Sequence, residues 1–310
     1  MRHRAVAALG LLLLADVVGA TAPVHDRAGN RVEALIEQPD RAPAGSDDGA
    51  ASPRFCTQDR QWCVRTRRNG DPSAGQLEVE HRPAGEPEPR LRFFPMPALE
   101  TPASEQPWPF IVRMAPGIGA PQVPSDPQQA ALENVLVGVV SGISTGYSGG
   151  GADAGTLRLS RIYHQQDGIQ IDPDVLVVPA DGHAMIRACF VPADEAGRAG
   201  ACHDEYSFTM TLTLDPAGQG MPVLRYRTTA TRFPAGASRF QDASTKGPLR
   251  KRDLRIQTDP ACSYQRTFRF VGGAYVPDAP LPGCEEFTEL QGRARGHGFR
   301  QGAYRHAATL

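Results

Sequence analysis

The stretch that decides the fold is Cys202-His203-Asp204-Glu205-Tyr206-Ser207-Phe208-Thr209-Met210-Thr211-Leu212-Thr213-Leu214, which ends at the break Asp215-Pro216-Ala217-Gly218-Gln219-Gly220-Met221-Pro222. Tyr206, Phe208, Met210, Leu212 and Leu214 fall at every second position, with Ser207, Thr209, Thr211 and Thr213 between them. Side chains alternate between the two faces of an extended chain, so this period predicts a half-buried β-strand. After the break, Leu224, Tyr226, Thr228 and Ala230 share one face, and Arg225, Arg227 and Thr229 take the other. The two runs together predict a long hairpin ending near Phe233.

Upstream of the hairpin, Val135-Leu136-Val137-Gly138-Val139-Val140 is apolar without alternation, and a Gly/Ser segment up to Gly155 leads into Leu157 to Tyr163. This predicts two strands joined by a glycine-rich loop, the first of them buried on both faces and therefore central in a sheet. Shorter strands are predicted at Leu77 to His81, Leu91 to Phe94, Phe110 to Met114, Val175 to Val178, Ala184 to Val191, Leu254 to Thr258 and Tyr264 to Val271, separated by Pro- and Gly-rich segments. Many short strands at such spacing specify an all-β, antiparallel, sandwich-like domain with Pro/Gly-rich loops and local disulfides.

The ends of the chain differ in composition from this body. Met1 to Arg4 is basic, and Ala5 to Ala20 is apolar apart from Asp16 and closes on the small-residue site Val18-Gly19-Ala20. Such a run is too short and too interrupted to span a bilayer, and it reads as a cleaved signal peptide over residues 1–20. Residues 21–54 are rich in Pro, Ala, Gly, Asp and Arg and read as a disordered linker, with at most a helical turn over Arg31 to Gln38. Residues 55–120 are expected to form an N-terminal β segment or subdomain, and residues 121–290 the main β domain. The Pro-rich run Ala115 to Gln129 lies between them, with a helical turn near Gln128 to Glu133. Residues 291–310 carry arginines and no acid and read as a disordered basic tail. With two lysines, Lys246 and Lys251, and abundant Ala, Gly and Pro, the composition suggests a high-GC bacterial coding bias. The expected location is periplasmic or secreted.

Six cysteines in an exported chain imply disulfides. About 15 pairings are formally open, and spacing favours Cys56 with Cys63, Cys189 with Cys202, and Cys262 with Cys284. Each would close a short loop and contribute about 2.5–3.5 kcal/mol on the chain-entropy model. Zinc is not expected: no CxxC occurs, and Cys202 and His203 point to opposite faces of a strand. The net charge of -1 excludes a global field of the kind that marks nucleic-acid binders. A local basic segment does occur, Pro248-Leu249-Arg250-Lys251-Arg252-Asp253-Leu254-Arg255, and the tail adds Arg293, Arg295, Arg300 and Arg305. Together they are a candidate surface for an envelope polyanion.

One catalytic candidate stands out. Gly142-Ile143-Ser144-Thr145-Gly146 has the form G-x-S-x-G and follows an apolar strand, which resembles the nucleophile elbow of α/β hydrolases. The elbow needs a helix after the serine, yet the following residues, from Tyr147 through three consecutive glycines to Gly155, do not favour one. His164, His183 and His203 lie downstream as formal bases. Asp172, Asp174 and Asp181 are spaced like turn residues rather than a calcium loop. In Asp204-Glu205 and Glu285-Glu286 the neighbouring acids point to opposite faces, so neither pair is a carboxylate dyad. Trp62, Trp108, Tyr206, Tyr226 and Tyr264 read as packing residues before they read as a ligand groove. No metal and no cofactor is expected. The expected function is that of an exported, non-catalytic envelope or secreted binding protein that contacts another protein or a polyanion. The alternative is a serine hydrolase using Ser144.

Overall fold

The computed structural model describes residues 24–39, 53–68, 75–82, 88–96, 104–118, 134–165, 168–241 and 247–290. The segments read as a signal peptide, as a helical turn near Gln128 to Glu133 and as a basic tail lie outside them. The strands are β1 (Val24–His25), β2 (Arg31–Ala34), β3 (Ile36–Gln38), β4 (Arg54–Cys56), β5 (Trp62–Arg68), β6 (Gly75–His81), β7 (Arg90–Pro95) and β8 (Ser104–Arg113). There follow β9 (Val135–Tyr147), β10 (Gly150–Gln165), β11 (Gly168–Arg187), β12 (His203–Leu214), β13 (Leu224–Phe233), β14 (Gln257–Thr258), β15 (Gln265–Val271) and β16 (Ala274–Pro277). Two short helices, α1 (Pro192–Gly197) and α2 (Glu285–Thr288), complete the described elements. The fold is all-β. Eleven strands form one sheet in the order β1-β2-β8-β9-β10-β11-β12-β13-β15-β16, with β14 beside β13, and five form a second in the order β3-β4-β5-β6-β7. Every ladder is antiparallel.

The hairpin of the opening stretch is β12 and β13, paired from Glu205 with Phe233 to Leu214 with Leu224. Tyr206, Phe208, Leu212 and Leu214 are buried, Met210 partly so, and Thr209, Thr211 and Thr213 face outward. The continuous apolar run is β9, and both of its faces are covered. Leu136 enters a core with Leu157, Leu159, Val178, Leu212, Leu224, Tyr226 and Phe268. Val135, Val137 and Val139 enter a second core with Trp62, Val64, Leu77, Val79 and Phe94 of the five-stranded sheet. The middle of the larger sheet is thus sandwiched, with the smaller sheet on one side and its own curled-over C-terminal strands on the other.

A bulge in β11 makes that curl possible. Gly155 pairs with Asp181 while Thr156 pairs with Pro179, so Ala180 is one residue extra. An extra residue moves every later side chain to the other face. Leu176 and Val178 therefore join the first core, whereas Ala184 joins a third cluster with Tyr206, Phe208, Ala230 and Phe287. The Tyr226 hydroxyl donates to the Pro179 carbonyl at 2.9 Å and fixes the bend. Beside it, Gly182 is required by a close approach, because a Cβ there would lie 2.0 Å from the carbonyl oxygen of Phe287 in α2.

The three disulfides are Cys56–Cys63, Cys189–Cys202 and Cys262–Cys284, the pairing that spacing favours. Each staples a local loop. The segment read as a disordered linker contains β1, β2 and β3 within residues 24–38. Val32 packs on the first core and Leu35 is buried in the second, so partners far along the chain hold what local propensity does not. No helical turn occurs at Arg31 to Gln38. Strand pairing does not divide at residue 120 either, since β2 and β8 belong to the same sheet as β9. The expected glycine-rich loop shrinks to the two-residue turn Ser148-Gly149, because Gly142, Gly146, Gly151 and Gly155 all lie within paired strands. The strand expected to run to Val191 ends at Arg187, and of Leu254 to Thr258 the structure makes a strand of Gln257–Thr258, with a 3-10 turn before it at Lys251–Asp253.

A buried arginine joins the two sheets. Arg113, on β8, is 2% exposed, and its Nη2 donates to both carboxylate oxygens of Asp59 at 2.7 and 2.8 Å, its Nη1 to Gln61 at 3.1 Å. Glu33 of β2 lies 3.3 Å from its Nε. Burial acts against the charge on Asp59, but hydrogen bonds from Arg113, Thr57 and the Gln61 amide outweigh it and hold the carboxyl below its usual range. A depressed folded value means the stabilisation is present above the ordinary carboxylate value of about 4 and is lost as pH falls through the lower folded value. Asp59→Asn is therefore expected to cost about 1–3 kcal/mol at pH 7, and urea midpoints of variant and wild type should converge below pH 4. Leu212→Asp is expected to unfold the protein and Thr211→Asp to shift stability by under about 0.5 kcal/mol, which circular dichroism melts of the two variants will check.

Candidate cleft at the end of the long hairpin

Ser144 lies in the body of β9, exposed, with no turn and no helix after it. Its cross-strand neighbour is Asp153 of β10, and His183 of β11 lies beyond Asp153. The order across the sheet is serine, carboxylate, imidazole. With strands about 4.8 Å apart, the imidazole is two strands and about 10 Å from the serine. His183 Nδ1 instead faces Asp153 at 3.8 Å. His203 is exposed at the start of β12, opposite Arg187, and the side chain of His164 lies outside what is described. The elbow geometry of a nucleophile with an adjacent base is not formed at Ser144.

The remaining acidic candidates are paired or scattered. Asp174 accepts from Arg158 at 2.8 Å, and Asp172 from the Tyr163 hydroxyl at 3.1 Å. Asp181 stands over Gly155, and burial, together with the charge of Asp153, raises its carboxyl above the usual range. Asp204 pairs with Arg198, and Glu286 accepts from the Arg239 amide at 2.7 Å. Among the described residues no group of three or more His, Cys, Asp or Glu side chains is placed to hold a metal ion. The aromatic residues pack: Trp62 stacks on His81 at 3.9 Å, and Tyr226 meets Phe268 edge-on at 6.0 Å.

The site with chemical potential lies elsewhere, at the end of the hairpin where β12 begins, near Tyr206. A cleft of about 540 Å³ opens there between the end of β11, α1 and the segments on either side of residues 242–246. Its walls include Ile186, Phe190, Pro248 and Leu249, and its charged members are Arg187, Arg198, Arg239, Asp194 and Asp204. A second hollow of about 300 Å³ adjoins it, sharing Arg187 and Phe190 and adding Glu195, His203 and the Cys189–Cys202 bridge.

Local chemistry makes these walls rigid. The Asp194 carboxylate accepts from the Phe190 and Val191 amides at 2.8 and 3.1 Å and caps α1, with its pKa lowered by those two bonds. Leu249 donates its amide to the Gly197 carbonyl at 2.9 Å and ties the basic segment to the end of α1. Two of the three arginines make several bonds each. Arg198 pairs with Asp204 and donates to the Ala201 carbonyl at 2.8 Å. Arg239 donates to the carbonyls of Glu286, Glu289 and Leu290 at 2.6–2.9 Å and so caps the C-terminal end of α2.

Arg187 is the exception. Its Nε donates to the Cys189 carbonyl at 2.7 Å, and its guanidinium lies 5.2 Å from the ring centroid of Phe190. Among the described residues no carboxylate stands within ion-pair distance of it, so its terminal Nη groups remain available. At the floor, Tyr206 is 1% exposed and its hydroxyl has no hydrogen-bond partner. Burial, with the charges of Asp204 and Glu286 nearby, pushes the phenol well above its usual range, so it stays a donor at every physiological pH. Phe190 is 70% exposed and Val191 55%. The sequence shows Phe190-Val191 close to Arg187, but their exposure follows only from the strand ending at Arg187 and not at Val191.

No family model, no curated protein and no solved structure matches the chain. No helix among the described residues is long and apolar enough to cross a membrane.

Tyr206→Phe removes a buried hydroxyl that bonds to nothing. Urea unfolding should show unchanged stability or a gain of up to about 1 kcal/mol, whereas a loss above about 1 kcal/mol would mean that the hydroxyl has a partner in solution.

Proposed function

We propose that this is an exported, non-catalytic binding protein of the bacterial envelope or exterior, and that the cleft between β11, α1 and Leu249 is where it meets its ligand. The observation that carries this reading is the combination of a rigid, disulfide-framed hollow with a guanidinium that no carboxylate neutralises. Binding sites are concave, largely apolar and fitted with a few fixed polar groups, and a volume of about 540 Å³ falls within the usual range of roughly 300–1,000 Å³. The loops that form it rest on a rigid sheet, the arrangement by which β scaffolds carry recognition. The basic run at the N-terminus, the apolar residues to Ala20 and the three disulfides support passage through a membrane into an oxidising compartment. The basic segment around Arg250 and Lys251 continues from one wall of the cleft and supports an anionic partner.

The competing reading is a serine hydrolase using Ser144. A fluorophosphonate probe discriminates between them. The folded protein should remain unlabelled under conditions that label a control serine hydrolase to completion, and labelling that disappears in Ser144→Ala would overturn the binding-protein reading in favour of the enzyme.

A further inference from the structure

A second surface, separate from the cleft, lies along β7, the last strand of the five-stranded sheet. The Met96 amide donates to the Gly75 carbonyl at 2.9 Å, in continuation of the β6–β7 ladder. Backbone groups of successive residues in an antiparallel strand turn to alternate edges. Arg90, Arg92 and Phe94 therefore bond to β6, and Leu91, Phe93 and Pro95 turn their backbone groups to the other edge. Among the described residues no strand pairs with that edge. Pro95 fits it, because an outward position in an edge strand needs no N–H. The Leu91 carbonyl on this edge accepts from the Arg92 guanidinium at 3.1 Å, an exposed bond.

Large apolar side chains flank the edge. Leu91 is 40% and Phe93 48% exposed on the outer face, where the Arg67 guanidinium lies 5.9 Å from the centroid of the Phe93 ring. The edge also looks across uncovered sheet. β5 lies toward β8, since the Thr66 hydroxyl donates to the Glu105 carbonyl at 2.8 Å, while Phe94 of β7 packs in one core with Ile169 of β11. Val177 of β11 shares a face with Val139 through the pairs of Val139 with Arg158 and Arg158 with Val177, yet it is exposed. The five-stranded sheet thus stops short of the width of the sheet it covers. A hollow lined by Leu77, Phe94, Met96, Val139 and Ile171 marks where it stops.

Charge decides what can pair here. Strands β4–β7 carry Arg54, Arg65, Arg67, Arg68, Arg90 and Arg92 against Glu78 and Glu80, although the whole chain has a net charge of -1. Glu78 is engaged by Arg65 and Arg67, and Glu80 by Arg54. Arg92 is exposed, and among the described residues it pairs with no carboxylate. A second copy of the chain is a poor partner. Antiparallel pairing of two β7 edges sets arginine against arginine, or sets Pro95, which has no N–H, opposite an outward residue of the other copy. We infer that the free edge of β7 receives an extended segment of another protein, with acidic and apolar residues alternating along it, as a sixth strand of the smaller sheet. The backbone of that segment bonds to Leu91 and Phe93, its apolar side chains lie beside theirs, and its acids lie beside Arg90 and Arg92. The same arginines that keep copies of the chain apart admit an acidic strand.

The test uses fluorescein-labelled hexapeptides on the full, disulfide-intact protein, read by fluorescence anisotropy. The probe Thr-Val-Val-Glu-Val-Glu runs antiparallel to β7, with its third residue opposite Phe93 and its fourth opposite Arg92. It should bind saturably, and the probe with both glutamates replaced by lysine should bind at least tenfold more weakly. N-methylation of the third residue, whose N–H meets the Phe93 carbonyl, should abolish binding. N-methylation of the fourth, whose N–H faces solvent, should leave affinity within a few-fold. Arg92→Glu should reverse the preference in favour of the lysine probe. Phe93→Pro, which removes an outward N–H and no bond to β6, should weaken the glutamate probe at least tenfold. Arg187→Ala, at the cleft, should leave binding unchanged. Equal affinity for the two probes, equal loss from the two N-methylations, an unaltered preference in folded Arg92→Glu, or weakening by Arg187→Ala would each overturn the inference. So would the absence of saturable binding at millimolar probe. Sedimentation velocity of the protein alone should show a monomer, and a dimer that Phe93→Pro dissociates would assign the edge to a second copy instead. Failure here leaves the cleft reading standing, since the probe pairs with an edge outside the cleft.

Discussion

The structure depends on β9 being buried on both faces. An apolar strand in a two-layer fold has one face to hide, but Val135, Val137 and Val139 contact the five-stranded sheet while Leu136 points into the larger core. Removing either cover would expose a row of branched side chains, each worth about 1.5–3 kcal/mol when fully buried. The small sheet is therefore more than an appendage. It is also fastened to β8, the strand beside β9, by the buried Arg113 and its bonds to Asp59 and Gln61 in the turn that Cys56–Cys63 closes. A buried charge of this kind contributes specificity of placement more than net stability, since desolvation offsets much of its attraction.

The cleft follows from the same architecture. The bulge at Ala180 turns the face of β11, so that Ala184 and Ile186 lie on the Tyr206 side and not with Leu176 and Val178. Without that extra residue the end of β11 would continue the inner layer, and Arg187 would not border an open space. The Cys189–Cys202 bridge then closes the excursion through α1 back onto β12. The strand that contributes Leu176 and Val178 to the core also supplies Ile186 and Arg187 to the cleft.

How much of this was legible in the sequence differed by the range of the interactions involved. The β12–β13 hairpin, the central position of β9 and the local disulfides were legible because they rest on periodicity or spacing within a few residues. The strands β1 to β3 were not, since Val32, Leu35 and Ile36 are too few to mark strands, and their pairing partners are β8 and β4. Glycines inside β9 and β10 misled for a related reason. Gly142 and Gly155 suit the interior of a strand here because of what lies over them, Ser104 and Asp181, and neither neighbour can be foreseen from local composition. Ser144 kept its formal motif but not its context. The cleft was the least legible feature of all, as Arg187, Phe190, Tyr206, Arg239 and Leu249 come from separate segments that only the finished topology brings together.

Two positively charged features lie at or beside the cleft, and their physics differs. Arg250, Lys251 and Arg252 are exposed, in water, on a short turn. Charges so placed attract any polyanion loosely, and at physiological salt the attraction is screened over about 8 Å. Arg187 is fixed through Nε, backed by an aromatic ring and set at the mouth of a low-dielectric hollow, where a given contact is stronger and less screened. The two are joined through the Leu249 amide, which ties the basic segment to the end of α1.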